Sequence, residues 1–337
     1  MVQNSILHNP CPNFEKGTTE IIPNPVKSES EIVALFLSEM SVKEKSKRAY
    51  RNWINYYINW AKSNNIYIGN ATRSDLIKYG EFLNKESGLS KSSVGSYLVI
   101  IRKLYAWFHA NGAYQANIGI GIRSPKIGKE FKKRGLNSEQ VSKLLDWSQS
   151  NQSLRDYAII CLFAYTGLRE MSVAAANIDD IKELADNRVI YYLSKGHDEK
   201  DKHVVLIDEV WLPIEKYLHQ KGIIQIFTPL FTSESKINKG KRLNTRTLIN
   251  IVREALDAIG LYSQDKYYPH SLRHSCGQNL LRAGATIEQV QWILGHEDIS
   301  TTMTYVKYIE DERRSQNAPE RLLSGFFKRN PETTERN

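Results

Sequence analysis

The sequence predicts a mainly α-helical protein of two domains, the second of which carries a small antiparallel sheet. The chain of 337 residues is long enough for about two domains with a core each. Apolar residues recur at intervals of three and four along most of it, which is the period of amphipathic helices. One segment, Arg188 to Leu193, is instead rich in β-branched and aromatic residues and precedes a polar turn. These three observations predict helical domains with a single hairpin.

The N-terminal domain is predicted to be all-α over residues 28–115. Residues 1–27 before it hold four prolines and no apolar period, which indicates a flexible tail. Four amphipathic stripes follow, and the last of them ends before Gly112, a typical helix C-cap. Ser41 and Glu44 have the spacing of a capping box and predict the start of the second helix. The aromatic residues on these stripes are expected in the core rather than stacked on nucleic-acid bases.

Residues 116–135, here called the basic strap, are predicted to link the two domains. Glycine and proline interrupt the strap, and it contains six basic residues against a single acid, Glu130. A flexible basic segment can lie across a nucleic-acid backbone, although a solvated linker has the same composition. The side chains expected on phosphates come from the strap and from the polar helix faces of the first domain: Lys43, Lys47, Arg48, Arg51, Lys91, Arg102, Arg123, Lys126, Lys129, Lys132, Lys133 and Arg134.

The second domain is predicted to cover residues 136–315 and to be mainly α with a small sheet. The β-rich segment pairs with a second strand, residues 202–207, in a hairpin with a long polar tip. Residues 316–337 form a C-terminal tail with apolar residues spaced for one helical face: Leu322, Leu323, Phe326 and Phe327. The predicted helices of the domain cover about residues 137–150, 154–165, 209–220, 245–259, 271–283, 286–294 and 299–310.

Composition excludes several classes of protein. Hydrophobic residues make up 41% and charged residues 25%, which is unlike a disordered or collagen-like chain. No apolar run reaches the roughly 18 residues that a membrane span needs, and no signal peptide is visible. The three cysteines are widely spaced, as expected in a reducing cytoplasm. The net charge of +9 indicates either a nucleic-acid-binding protein or merely a basic enzyme.

Four segments of the second domain concentrate cationic and acid–base residues. The first is Tyr-Thr-Gly-Leu-Arg, which ends at Arg169. The second places Lys195 before a glycine at the expected hairpin tip. The third is His-Ser-Leu-Arg-His at residues 270–274. The fourth is Leu-Gly-His, which ends at His296 and is followed nine residues later by Tyr305. Guanidinium groups donate paired hydrogen bonds and keep their charge, so this set suits an anionic phosphate.

In this order and spacing the four segments resemble the tyrosine recombinases, also called phage integrases. That family has an arginine after Thr-Gly-Leu, a hairpin lysine, a His-x-x-Arg-His box, a Leu-Gly-His box and a nucleophilic tyrosine beyond it. The motifs cover about residues 136–310, and the helical domain before them matches the family's core-binding domain in size and position. One departure is Ser172, which stands where the family often has an acid that supports the first arginine. Glu170 is the alternative source of that support.

The resemblance implies the tyrosine recombinase fold and a phosphoryl transfer that cleaves and rejoins DNA through a 3′-phosphotyrosine. The two arginines would clamp the nonbridging oxygens of the scissile phosphate, and His270 would accept the phenol proton. Lys195 would protonate the leaving 5′ oxygen. Nearby cations would favour the phenolate of the nucleophile. The implied catalytic residues, which need no metal or other cofactor, are Arg169, Lys195, His270, Arg273, His296 and Tyr305.

Each of these assignments has an alternative. The arginines could be ion-pair partners within the fold, and Lys200 or Lys202 could replace Lys195. His274 is expected to pack or to support its neighbours, but with two other histidines it could bind zinc, although the metalloprotease motif is absent. The tyrosines that rival Tyr305 are Tyr262, Tyr267, Tyr268 and, one helical turn further on, Tyr308.

The resemblance also implies partners and a biological role. We expect a cytoplasmic homotetramer on two double-stranded DNA sites with inverted repeats, which integrates and excises a mobile element and has no membrane contact. The C-terminal helix would be exchanged between protomers, and a directionality factor is a possible partner. The 27-residue tail is too short for the arm-binding domain of lambda-type integrases, which keeps a Xer-type resolution enzyme as the alternative. A type IB topoisomerase-like enzyme and a non-catalytic DNA-binding regulator are the remaining alternatives.

Overall fold

The computed structural model describes residues 28–126, 135–194, 197–222, 228–262 and 267–326. The chain divides into two compact units, Met1–Lys129 and Glu130–Asn337. The predicted N-terminal tail, residues 127–134 of the strap, and Lys195 with Gly196 lie outside the described residues. Within the part of the chain that the structure describes, none of the helices is both long and apolar enough to cross a lipid bilayer.

The first unit contains the four predicted helices. Ser28, Thr72 and Ser90 each accept a backbone hydrogen bond at a helix start, because an N-terminal turn leaves N–H groups that a hydroxyl can satisfy. The apolar stripes of the helices face one common core. The elements are α1 (Glu29–Ser38), α2 (Glu44–Ser63), α3 (Arg73–Lys85) and α4 (Lys91–Ala110).

The capping box predicted at Ser41 and Glu44 is wrong. Helix α2 begins at Glu44 with Lys43 as its N-cap, and the Lys43 side chain makes no capping hydrogen bond. The amide of Val42 donates to the carbonyl of Met40, and this turn keeps Ser41 outside the helix. The spacing alone could not reveal this, because a capping box also requires that the hydroxyl residue be the one at which extended backbone becomes helical.

Aromatic residues fill the core of the first unit, as predicted from their helical spacing. Tyr57, Tyr79 and Tyr105 are fully buried. The hydroxyl groups of Tyr57 and Tyr105 lie 2.7 Å apart, and Tyr105 also donates to the carbonyl of Ile68 at 3.0 Å. The hydroxyls of Tyr57 and Tyr105 are therefore satisfied inside the unit, which removes the desolvation penalty that an unpaired phenol would carry.

The second unit is mainly helical with one sheet. Helix α7 was not predicted, because its six residues are too few to show an apolar period. The last long helix extends past the predicted end near residue 310, where Arg282 of a neighbouring helix binds Glu312 at 2.8 Å. The helices are α5 (Ser138–Asn151), α6 (Leu154–Thr166), α7 (Glu170–Ala175), α8 (Asp208–Lys221), α9 (Thr245–Ala258), α10 (Pro269–Arg282), α11 (Ile287–Leu294), α12 (Ile299–Gln316) and α13 (Leu323–Phe326).

The sheet has three antiparallel strands, one more than the predicted hairpin. They are β1 (Ile181–Leu184), β2 (Asn187–Tyr192) and β3 (Lys202–Val205), in spatial order β1-β2-β3. Strand β1 shows no apolar alternation, because three of its four residues are exposed. Its turn into β2 uses positive φ at Ala185 and Asp186, without the glycine that usually marks such a turn. The sequence signal for this strand was therefore absent.

Helix α6 is the central helix of the second unit and positions the first of the four sequence motifs. It packs against α5, α8 and α10, and residues on all its sides are buried. It ends at Gly167, whose φ of 61° is the left-handed conformation of a helix C-cap. The chain then turns directly to Arg169, which is the N-cap residue of α7. The buried helix α6 thus fixes the backbone position of Arg169.

Candidate active site

Three of the four predicted motifs of the second unit, those of Arg169, of residues 270–274 and of His296 with Tyr305, meet around one cavity of about 440 Å³. Arg169 enters it from the start of α7, and His296 from the loop after α11. Tyr305 enters from α12. Helix α10 contributes three side chains from one face, because residues 273 and 274 lie one helical turn after residue 270. The described residues that line the cavity are Arg169, His270, Arg273, His274, Gly295, His296, Glu297, Asp298, Thr301 and Tyr305.

Arg273 is buried and held by the ends of two helices. Its Nη1 donates to the carbonyl of Gly167 at 2.8 Å, and its Nη2 donates to the carbonyl of Leu294. These carbonyls belong to the C-terminal ends of α6 and α11, where the helix dipole is negative and carbonyls lack helical partners. A guanidinium has five N–H donors, so donors remain for a phosphate.

The charge of Arg273 survives its burial. Burial and the neighbouring charge of Arg169 lower the pKa of Arg273 to about 10. This pKa is still far above neutral pH, so the side chain is charged in the cavity. The guanidinium of Arg273 is buried and that of Arg169 is partly buried in the same cavity lining, so together they form an anion site in which charges are less screened than in water.

Tyr305 is buried in the described structure, with only 2% of its surface exposed. Its hydroxyl lies 2.7 Å from Nδ1 of His274. Burial raises the pKa of Tyr305 to about 12, and this effect outweighs the opposing charges of Arg273 and Arg169. The two arginines thus favour the phenolate, as predicted, but the cost of removing the phenolate from water is larger, so the phenol holds its proton more tightly than an exposed tyrosine does.

His296 is oriented by its own hydrogen bonds. Its Nδ1 lies 2.9 Å from Oγ1 of the fully buried Thr302, and Gln291 donates to its backbone carbonyl at 3.1 Å. Its ring lies nearly parallel to that of Tyr305, with 6.1 Å between the centroids. Burial, followed by the charges of Arg273 and Arg169, lowers the pKa of His296 to about 4. The ring is therefore neutral at neutral pH.

The pKa of His296 predicts a loss of stability on acidification. The folded chain binds this proton only near pH 4, whereas the unfolded chain binds it near 6.5. Between these values the unfolded state holds more protons, so the free energy of unfolding falls as the pH is lowered. We expect about 1–2 kcal/mol from this group, because water partly screens the ring. Urea unfolding of wild type and His296→Asn at several pH values measures it, and parallel curves would contradict the shift.

Ser172 and Glu170 support different parts of the site. The Oγ of Ser172 is buried and donates to the carbonyl of Leu193 at 2.7 Å, at the end of the strand that leads to Lys195. The carboxylate of Glu170 lies 3.9 Å from Nδ1 of His270, whose side chain is 46% exposed. Glu170 thus lies next to His270, and Ser172 holds the chain at the end of the strand that precedes Lys195.

The candidate lysines differ in their surroundings. Lys195 lies outside the described residues. Lys200 is bound within the fold, because its Nζ donates to Asp180 at 2.5 Å and to the carbonyl of Ala175 at 3.0 Å. Lys202 begins β3 and lines a second cavity with His296, beside the active site. Lys200 is therefore an ion-pair partner within the fold, and Lys202 lies beside the cavity that His296 lines.

The rival tyrosines occupy other environments. Tyr267 is buried in the main core of the unit, and the rings of Tyr262 and Tyr268 contact each other. Tyr308 lies on α12 and is partly buried. Among the described residues that line the arginine-containing cavity, Tyr305 is the tyrosine. No group of three or more His, Cys, Asp or Glu side chains suited to a metal occurs in the described ranges.

Two contacts of the site were missed in the sequence. Thr302 precedes Tyr305 by one helical turn, and this spacing could have indicated that both lie on the same side of α12. The pairing of Tyr305 with His274 had no sequence signal, because it depends on how α12 packs against α10. Gly277 allows this packing, since a Cβ there would lie 2.9 Å from Leu294 and 3.2 Å from the Tyr305 ring.

The basic residues predicted to contact DNA are mostly on the surface of the first unit. Arg102 differs, because it donates to the carbonyl of Ile122 at 2.8 Å and holds the start of the strap. Lys47 is partly buried and pairs with Glu44 at 3.4 Å. Lys129, Lys132, Lys133 and Arg134 lie outside the described residues. The exposed members of the predicted set are Lys43, Arg48, Arg51, Lys91, Arg123 and Lys126.

Comparison with known protein families decides the assignment. The model of the phage integrase family matches residues 134–311, more than half of the chain, and that of the phage integrase N-terminal SAM-like domain matches residues 34–112. The chain is a tyrosine recombinase of the phage integrase family. Members of this family cleave and rejoin DNA through a tyrosine-linked intermediate. The motifs that converge on the cavity are the ones that carried the resemblance.

Curated relatives of the recombinase are themselves named tyrosine recombinases. A tyrosine recombinase of Pseudothermotoga lettingae is 28% identical over 269 residues, which cover 79% of this chain and 88% of the relative. The tyrosine recombinase XerC of Mannheimia succiniciproducens is 31% identical over 232 residues, covering 66% of this chain and 72% of the relative. The recombinase thus aligns with most of the length of these proteins.

Solved structures share the fold of the recombinase. The XerH site-specific recombinase bound to a palindromic difH substrate superposes with a TM-score of 0.69 at 16% identity, covering 87% of this chain and 85% of that chain. The Tn1549 transposon integrase in complex with a circular intermediate DNA gives a TM-score of 0.66 at 17% identity, covering 84% and 98%. The mainly helical fold with a small antiparallel sheet is confirmed by these likenesses.

Proposed function

We propose that this recombinase exchanges strands between two DNA sites, with Tyr305 as nucleophile. The observation that carries the proposal is the convergence of Arg169, Arg273, His296 and Tyr305 on one cavity. The phenol oxygen of Tyr305 attacks the scissile phosphorus and forms a 3′-phosphotyrosine, which keeps the energy of the broken bond. Rejoining then needs attack by a free 5′ hydroxyl and no nucleotide cofactor.

The arginines stabilise the charge that develops on the phosphate. Arg273 is already fixed by two carbonyls, so its remaining N–H groups need no reorganisation when the transition state forms. Arg169, which also lines the cavity, supplies the second positive group. The neutral imidazole of His296, held through Thr302, donates a hydrogen bond to a nonbridging oxygen, and His270 donates from α10.

Lys195 is proposed to protonate the leaving 5′ oxygen. The Ser172 contact holds the carbonyl of Leu193, two residues before Lys195, and Lys202 lines a cavity together with His296. Replacement of the 5′ bridging oxygen by sulfur gives a leaving group that needs no proton. Such a substrate should restore cleavage to Lys195→Ala, and failure to do so would remove this role.

The test of the proposal begins with the DNA site. The Tyr305→Phe chain is used to select duplexes from a random-sequence pool, and the product is here called the selected duplex. Two copies of it with different flanking lengths, one labelled, are then incubated with wild type. Strand exchange yields labelled product of a new length, which is the expected result. Relaxation of supercoiled DNA without exchange would indicate a topoisomerase-like enzyme, and binding without cleavage a regulator.

Two biological roles are proposed for strand exchange. Integration and excision of a mobile element is the role expected from the motifs. Dimer resolution is favoured by the curated relatives, several of which are named XerC or XerD. A resolution enzyme recombines two identical copies of the selected duplex in direct repeat, whereas an integrase requires a second, different site. A plasmid with two identical direct repeats therefore separates the roles, because a resolution enzyme recombines it and an integrase does not. A directionality factor would be sought only for an integrase.

A homotetramer is proposed as the active assembly, joined through the C-terminal segment. Leu322 and Phe326 are 77% and 86% exposed, which is unusual for large apolar side chains so close together. A neighbouring copy of the chain would cover them. Phe327, the fourth residue of the predicted apolar face, lies outside the described residues.

Deletion of residues 318–337 should abolish cooperative pairing of two sites while binding to one site survives. The physical reason is that the exposed apolar residues bind a neighbour rather than their own unit. Gel-shift titration of the selected duplex measures binding, and a bead assay that bridges two duplexes measures pairing. Leu322→Ser with Phe326→Ser should have the same effect without truncation. Full recombination by either variant would contradict exchange of this segment.

The basic strap and the exposed cations of the first unit are proposed to contact phosphates. Replacing the strap's Lys129, Lys132, Lys133 and Arg134 by Gln should weaken binding and flatten its salt dependence, by roughly 0.9 in logarithmic slope per lost contact. Binding to the selected duplex between low and moderate salt measures this slope.

A matched control removes the same amount of charge from lysines already paired with carboxylates. These are Lys62, Lys78, Lys85 and Lys143. Their replacement by Gln should leave the slope unchanged. If both variants changed the salt dependence of binding equally, the strap would contribute only through the net charge of the protein and not through phosphate contacts.

A further inference from the structure

The phenol of Tyr305 contacts a histidine that is outside the set expected to do the chemistry. Its oxygen lies 2.7 Å from Nδ1 of His274, and the His274 side chain is buried. His270, the residue expected to take the phenol proton, is 46% exposed on the same helix. Both residues line the cavity, but the hydrogen bond to the reacting oxygen is made by His274.

The geometry of the contact is that of a general base. Proton transfer requires the base within about 2.6–3.2 Å of the donor oxygen, and the observed distance lies inside this range. The ring of His274 also faces the ring of Tyr305, with 5.6 Å between centroids. The two side chains are held by two packed helices, α10 and α12, so the contact is built into the fold of the unit.

The contact extends toward solvent through a second histidine and an acid. The rings of His270 and His274 are perpendicular, with centroids 4.9 Å apart. Beyond His270, the carboxylate of Glu170 lies 3.9 Å from its Nδ1. Two further titratable groups thus lie between His274 and the exposed edge of the cavity.

We propose that His274 is a catalytic residue that accepts the Tyr305 proton during DNA cleavage. The inference rests on the proposed function, because it concerns the nucleophile of that reaction. His270, which also donates to the phosphate, then packs against His274, and Glu170 serves as a positioning residue for His270. Burial raises the pKa of the phenol to about 12, so a base directly on the hydroxyl is needed for attack at neutral pH.

The step balances without any further reagent. The O–H bond of Tyr305 breaks and its proton moves to Nδ1 of His274, whose ring carries its own proton on Nε2. The phenol oxygen forms a bond to phosphorus as the bond from phosphorus to the 5′ oxygen breaks. That oxygen takes a proton from the ammonium group of Lys195. On rejoining, His274 returns its proton to the departing phenol.

The charged groups around the pair set the pH range of the step. Titratable or charged side chains reach the cavity from α7, from α10 and from the loop before α12. The positive charges of Arg273 and Arg169 favour loss of the Tyr305 proton. The groups that face the pair are Arg169, Glu170, His270, Arg273, His296, Glu297 and Asp298.

The test measures formation of the covalent adduct on a nicked form of the selected duplex, across pH, for wild type, His274→Ala and His274→Asn. Asparagine keeps an acceptor near the position of Nδ1 but cannot take a proton. We expect both variants to lose about 100-fold or more at neutral pH. Their rates should then rise tenfold for each unit of pH, as hydroxide replaces the base, whereas the wild-type rate levels off.

Controls separate a chemical role from a structural one. Binding to the selected duplex reports folding, and His274→Asn decides alone if the alanine chain does not fold. His219→Ala, at an exposed histidine of α8, should leave the adduct rate unchanged. The proposal would be overturned if His274→Asn formed the adduct at the wild-type rate. It would also be overturned if the levelling of the adduct rate with pH were lost in His270→Asn but kept in His274→Asn. Absence of any adduct in wild type would instead overturn the function on which it rests.

Discussion

The Tyr305→Phe chain should form no covalent adduct with DNA while it binds the selected duplex as tightly as wild type. The substitution removes only the hydroxyl that attacks phosphorus, and the ring keeps its place against α10. Loss of the hydrogen bond to His274 should lower the free energy of unfolding by about 1 kcal/mol. Gel electrophoresis under denaturing conditions detects the adduct, and a gel shift measures binding.

Tyr308→Phe is the matched control for this prediction. Tyr308 lies on the same helix, one turn further on, and is partly buried. It is outside the arginine-containing cavity as the described residues define it. Its substitution should leave the adduct rate within a few-fold of wild type. If instead Tyr308→Phe removed the adduct and Tyr305→Phe kept it, the nucleophile would be reassigned to the second tyrosine.

The second large effect is expected for Arg273→Lys. Lysine keeps the positive charge, but its single ammonium group cannot satisfy the carbonyls of Gly167 and Leu294 and a phosphate together. We expect the rate of adduct formation to fall by about 10³-fold or more, as for other arginines that stabilise phosphoryl transfer. The rate is measured under single-turnover conditions on the nicked selected duplex.

Arg282→Lys provides the comparison on the same helix. Arg282 ends α10 and binds Glu312 at 2.8 Å, a contact that a lysine can also make. Its substitution should change the adduct rate by less than a few-fold. A small effect of Arg273→Lys, close to that of Arg282→Lys, would show that charge alone suffices in the cavity and would contradict the role given to its two backbone contacts.

Much of the fold follows from local patterns in the sequence. The four helices of the first unit were predicted because each presents a long apolar stripe. The face that α10 presents to the cavity was predictable from the spacing of its motif residues. Strand β1 was missed because it is a short exposed edge strand with no apolar alternation. Arg102 was assigned to DNA from its charge alone, yet it bonds inward to Ile122.

The electrostatics of the site could not be predicted from residue types. Two arginines near a tyrosine suggest a lowered pKa, but burial decides the outcome and raises it to about 12. Burial is a property of how α10, α11 and α12 pack, and the sequence motifs contain no information about it. The same packing brings His274 to Tyr305 and Thr302 to His296, which are contacts between residues on different elements. Such contacts require the folded structure.

A peptide map of wild-type enzyme trapped on the nicked selected duplex tests the central claim most directly. The trapped chain is digested, and mass spectrometry locates the residue that carries the nucleotide. The account predicts one modified peptide, with the 3′ phosphate bonded to the Tyr305 oxygen. A nucleotide on any other residue, or an attachment through a 5′ phosphate, would contradict it.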